Sequence, residues 1–176
     1  MHTLTRSVAL TAALAMIGLG SINAVAEEIK DSGSFDASYT KRNTRPVPDQ
    51  QGHMLLLTES SGTSTNPGGA IDGFPTIVLE LADLRQGNGP HQGYVIYRKG
   101  SDQEVVRFEG QVMTTMKDGH PNTKMKGKYE IVGGTGALSG IQGNGAYAGY
   151  FTAEDKYHVD WQGSRTLSKD AMAKHQ

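Results

Sequence analysis

Downstream of residue 26 the chain carries five histidines, His53, His91, His120, His158 and His175. Imidazole titrates near neutrality, so a histidine held among apolar residues can move a proton or ligate a metal. Metal chemistry finds no local motif: no two histidines stand at ligand spacing and there is no His-Glu-x-x-His, so no metal is expected. A centre built from His53, His91 and His158 would have to be assembled from separate strands. The chain has no Cys, which removes thiol nucleophiles, disulfides and cysteinyl zinc sites. No Gly-x-Ser-x-Gly elbow is present. Gly133-Gly134-Thr135-Gly136 lacks the lysine and helix of a phosphate loop and reads as a turn. No cofactor is expected.

General acid–base chemistry is left, with candidates on alternating strand faces. His53 shares a face with Leu55, Leu57 and Glu59, and Glu80 shares one with Val78 and Ala82. Arg107 and Glu109 lie with Val105 and Met113, opposite Val106, Phe108 and Val112. The turn-rich stretch Asn88-Gly89-Pro90-His91-Gln92-Gly93-Tyr94 offers His91 and Tyr94, and Tyr147 lies in a strand of alternating glycines and aromatics. The candidate cavity or mouth residues are therefore His53, Glu59, His91, Tyr94, Arg107, Glu109 and Tyr147. In an apolar cavity, desolvation raises a carboxyl pKa and a nearby arginine lowers it. On an outer wall the same groups form ordinary ion pairs worth under about 1 kcal/mol.

The elements that must hold these residues read as strands. Alternation predicts strands at 34–40, 52–60, 76–82, 93–98, 104–116, 124–132, 144–152 and 156–163. Turn signals separate them: Gln86-Gly87-Asn88-Gly89-Pro90, Lys99-Gly100-Ser101-Asp102 and Asp118-Gly119-His120-Pro121. Residues 41–51 hold Pro46 and Pro48 and read as a connection. Residues 61–75 read as a loop long enough to be a lid, and 133–143 as a compact glycine-rich connection. The tail from Ser164 to Gln176 is polar and reads as frayed or weakly helical. Eight strands with short antiparallel connections predict an all-β, closed up-and-down barrel, with a sandwich as the alternative. Gly143, Gly145 and Gly149 share a face with Tyr147 and Phe151, which permits sharp coiling and lets rings lie across neighbouring strands.

Residues 1–26 do not belong to that fold. Arg6, the apolar run Val8–Gly20 and Ala24-Val25-Ala26 make a secretory signal expected to be cut before Glu27. The run is shorter than the roughly 20 residues a membrane helix needs. A single domain over 27–176, exported to the periplasm or secreted, is expected, with no stable membrane span. Arg6 is the only charged residue in the leader, so its removal shifts the formal net charge from −1 to −2. A nearly neutral chain is a poor nucleic-acid binder, and no nucleic-acid partner is expected.

The segment Lys128-Tyr129-Glu130-Ile131-Val132-Gly133-Gly134-Thr135-Gly136, continued by Ala137-Leu138-Ser139-Gly140-Ile141-Gln142-Gly143-Asn144-Gly145-Ala146-Tyr147, resembles the Gly-Gly-Thr-Gly hairpin of the allene oxide cyclase and dirigent barrel group. The resemblance implies a calycin-like eight-stranded barrel around a mostly apolar cavity, often trimeric, and transfers no catalytic residue. Two functions are open at this point. One is a cofactor-independent cyclase or isomerase that holds a small apolar or aromatic molecule in a water-poor cavity. The alternative is a non-catalytic ligand-binding or envelope-associated barrel. Met54–Leu57 and Ile77–Leu81 are apolar on both faces, so one face must be covered, and a homo-oligomer, possibly a trimer, is expected.

Overall fold

The computed structural model describes residues 27–167, so the leader and residues 168–176 lie outside it. Eight strands follow in chain order: β1 (Glu27–Pro46), β2 (His53–Thr65), β3 (Pro75–Arg85), β4 (Gly89–Lys99), β5 (Asp102–Lys117), β6 (His120–Thr135), β7 (Gln142–Ala153) and β8 (Lys156–Leu167), with a 3-10 turn at Gly136–Leu138. Each strand pairs antiparallel with the next, and β8 returns to β1 through Glu27↔Leu167 to Ser38↔Lys156, closing the barrel. The turns obey their residue chemistry. Asp118 and Gly119 both take positive φ, 52° and 79°, the pair a two-residue type I′ hairpin requires.

Alternation sorts the side chains. Phe35 and Ala37 of β1, Val78 of β3, Val106, Phe108 and Val112 of β5, and Tyr157, Val159 and Trp161 of β8 are buried in one core. Leu55, Leu57, Ile77, Leu79 and Leu81 of β2 and β3 stand on the outer wall, Leu57 with 59% exposure.

Three expectations change. Residues 41–46 belong to β1, pairing with Met54–Glu59 of β2, because β1 can run on along β2 as an edge without a buried face after its pairing with β8 ends at Ser38↔Lys156. Ser61–Thr65 pair with Ser34–Ser38, which leaves only residues 66–74 as loop. That loop is a plug rather than a lid. Ile71 is fully buried, Ala70 and Phe74 are buried with it, and Asn66 is 1% exposed. The Asn66 amide Nδ2–H₂ donates to Asp31 Oδ1 at 2.7 Å and to the Ser32 carbonyl at 2.8 Å, tying the plug to β1. Finally, Ser164–Leu167 are the end of β8 and not a frayed tail, because Arg165 is held inside the barrel by acids on β1 and β5.

Candidate functional site

The lumen holds a mostly apolar cavity of about 60 Å³. At roughly 15 Å³ of such space per water, that is room for about four waters, well below the several hundred Å³ of a pocket for a drug-sized ligand. Its walls are aromatic and aliphatic, with Phe35, Val95, Val106, Phe108, Tyr157 and Val159 among them. Two polar groupings interrupt this lining.

The first is a relay across four strands. Glu80 of β3 points inward beside Val78 and Ala82. Its carboxylate accepts a hydrogen bond from His91 Nδ1–H at 2.7 Å and another from the Thr58 hydroxyl at 3.1 Å. A carboxylate only accepts, so the proton between them sits on Nδ1 and leaves Nε2 free to accept. Tyr147 of β7 donates its Oη–H to that nitrogen at 2.8 Å. The reach depends on missing atoms. His91 pairs with Gly110, Gly110 with Gly127, and Gly127 with Tyr147. The phenol lies over both glycines, and a Cβ on Gly127 would come 2.5 Å from Tyr147 Oη. Burial, followed by the negative charges of Glu80 and Glu109, pushes the Tyr147 hydroxyl far above its ordinary pKa, so it stays protonated. Phe108 packs edge-on against both rings, with centroids 5.5 Å from His91 and 5.8 Å from Tyr147.

The second grouping lies toward the plug. Arg165 Nη1–H donates to Glu104 Oε2 at 2.8 Å, and Arg165 Nε faces Asp31 Oδ2 at 2.5 Å. Glu104 is 1% exposed. Desolvation, only partly offset by Arg165, pushes its carboxyl up to about 7. Tyr129 reaches toward this cluster over Gly145 and Gly163, as Tyr147 reaches over its own glycine pair. Burial lifts its hydroxyl to about 12.

Of the seven residues singled out from sequence, His91 and Tyr147 line the lumen and touch one another. Tyr94, Arg107 and Glu109 face outward from β4 and β5, where Arg107 pairs with Glu130 at 2.8 Å, and so do not line the cavity. Glu59 is likewise on the outer wall, bound to Lys41 at 2.9 Å. Their parity decides this: Val106 and Phe108 take the inward positions of β5, so Arg107 and Glu109 cannot. His53 is buried outside the lumen at the start of β2, between Asp49 and Asp83. The bond to Asp49 is the main cause of its raised imidazole pKa. His158 also sits on the outer wall, bridging Asp36 at 2.9 Å and Asp160 at 3.1 Å. The lumen residues outside the sequence set include Glu80, Glu104, Arg165 and Trp161. For Glu80 the signal was present, since it alternates with Val78 and Ala82. For Arg165 there was none, because its partners are 61 and more residues away.

No protein-family model and no curated protein sequence matches this chain. Among solved structures it is similar to two pterocarpan synthase dirigent proteins. One has 14% identity and a TM-score of 0.43, with 92% of this chain and 100% of that chain covered. The other has 12% identity and a TM-score of 0.45, with 81% and 97% covered. The closed, all-β, eight-stranded antiparallel barrel is the fold that the resemblance of residues 128–147 to the allene oxide cyclase and dirigent group implies, and dirigent proteins are among its structural neighbours.

Proposed function

We propose that this is an exported barrel that takes a small, neutral, largely apolar molecule into its lumen and moves a proton on it. The observation that carries the reading is the Glu80–His91–Tyr147 relay, continuous at 2.7 and 2.8 Å in an otherwise apolar wall. The charge transfer balances within the chain. As the ligand gives a proton to Tyr147 Oη, the phenol's own proton passes to His91 Nε2, and Glu80 stabilises the imidazolium. The reverse transfer to a second ligand atom completes an isomerisation or ring closure, restoring the starting relay without a cofactor.

The small free volume supports a second reading, a barrel that binds without turnover. A ring-sized ligand must displace wall side chains, and Tyr39, Tyr129 and Tyr147 are the lining rings that are only half-buried.

Native mass spectrometry of the protein purified from its own host tests both. The co-purifying molecule is identified and returned to fresh protein. Conversion to an isomer by the wild type, reduced roughly 10²–10⁴-fold in Tyr147→Phe, supports proton transfer. Recovery of the molecule unchanged leaves the binding barrel. A lumen that never carries a molecule ends both readings.

A further inference from the structure

Trp161 is the chain's only tryptophan. It lines the lumen at 7% exposure, and its indole Nε1–H is buried without an acceptor. An indole nitrogen can only donate, so nothing but an acceptor atom can satisfy it. Buried donors are nearly always paired, and leaving one unpaired is costly. The ring reaches this position by lying over Gly33 of β1, where a Cβ would come 2.5 Å from its Cζ2. Ser64 Oγ of β2 is also buried without a partner. Ser64 pairs with Phe35 and Trp161 pairs with Gly33, so the two unpartnered groups flank the same stretch of β1.

We infer that the plug end of the lumen is an acceptor subsite, in which Trp161 Nε1–H holds a neutral oxygen of the ligand, a carbonyl above all. The inference rests on the lumen-binding reading above and narrows its substrate class. Neutrality follows from the neighbours. Arg165 is 4% exposed and faces two carboxylates, Asp31 and Glu104. One cation between two acids gives a cluster that is neutral with Glu104 protonated and negative with it ionised. A ligand carboxylate would meet no free positive charge there and would lose its hydration. A carbonyl needs only the donor. With the relay near Glu80 and this subsite near the plug, a carbonyl compound would be held by its oxygen with its carbon skeleton directed toward Tyr147. A carbonyl also acidifies the adjacent C–H, the kind of proton a neutral imidazole relay can accept.

Three probes of nearly equal size decide the matter: cyclobutanone, methylenecyclobutane, which replaces the oxygen by a methylene, and propionate. Ligand-observed NMR on the full mature chain gives their affinities. The single indole N–H resonance in a ¹⁵N-labelled sample reports the contact directly. The ketone should bind roughly 10-fold more tightly than the hydrocarbon, the size of one buried hydrogen bond gained. Propionate should not compete. The indole proton should move downfield with the ketone alone, and Trp161→Phe should bind ketone and hydrocarbon equally. If ketone and hydrocarbon bind wild type equally, or the preference survives Trp161→Phe, the inference is overturned and lumen binding stands. If neither probe enters, the lumen-binding reading falls and takes this one with it. Should Trp161→Phe lose its β-type circular dichroism, the wild-type indole resonance alone decides: a ketone that binds without shifting it overturns the proposal.

Discussion

Glu104 makes the barrel's stability depend on pH in a direction opposite to that of most carboxylates. Its carboxyl is buried between β5 and the Arg165 guanidinium, with Asp31 adding a second negative charge nearby, and its pKa stands at about 7 against an ordinary 4.5. A carboxyl raised in the folded state binds its proton more tightly there than in the unfolded chain. The native state is therefore favoured at low pH, and that advantage is lost as pH rises from about 4.5 through 7. At 1.36 kcal/mol per pKa unit, the loss between pH 5 and pH 8 is roughly 2–3 kcal/mol. Glu104→Gln keeps the shape, leaves Arg165 paired to Asp31 and removes the titration. Urea unfolding at pH 5, 6, 7 and 8 should show the wild type losing roughly 2–3 kcal/mol more than the variant across that range. His53 and His158, whose pKa values are raised, also lose stabilisation as pH rises, but they are common to both proteins and cancel in the difference. Parallel pH profiles for the two proteins would refute the argument.

Three further outcomes are expected. Ile71→Ala removes a fully buried side chain from the plug and should cost about 2–4 kcal/mol, read as a lower urea midpoint at unchanged slope. Leu57 faces outward at 59% exposure beside Leu55, Leu79 and Leu81, so if a second copy covers this wall, Leu57→Glu should dissociate the assembly in sedimentation velocity while strand content is kept. A wild-type monomer throughout the micromolar range would show that no subunit covers it. Export with removal of residues 1–26 should leave Glu27 as the amino terminus, which intact-mass measurement on protein recovered outside the cytoplasm checks, since retained Met1 would contradict it.

The eight strands were legible because a barrel wall has one face inside and one outside, which writes a period of two into the sequence. The signal failed where that physics does not hold. Lys41, Arg42, Asn43 and Arg45 are all exposed, since the end of β1 runs on as an edge beside β2, past its last β8 partner, with no buried side, and no alternation marks it. Arg165 looked like tail because a buried arginine is recognised only by its partners, and those partners stand on β1 and β5. In the site, His91 and Tyr147 were each visible as residues, but their contact was not. The clue was in Gly110 and Gly127, which sit inside strands where glycine normally weakens the ladder and here clear the path of the phenol. Arg107 and Glu109 drew notice as charges in an apolar strand, and only the inward parity of Phe108 assigns them to the outer wall.

The seam between β1 and β8 also has a consequence in time. The start of the first strand waits for the last, because Glu27–Gly33 pair only with Trp161–Leu167, and no local hairpin shortens that separation. Pairing of such distant segments is slow, since the loop entropy is lost before any contact is gained. The seven hairpin pairings from β1 to β8 can form as neighbours in the order of synthesis, whereas the seam cannot exist until the whole chain is available. Asp31 and Arg165 lie on its two sides, and Glu104 reaches Arg165 from β5. Their ion cluster is thus assembled by the closing step itself. Until then the barrel is an open sheet with two unpaired edges, the form in which it is most exposed to pairing with other chains.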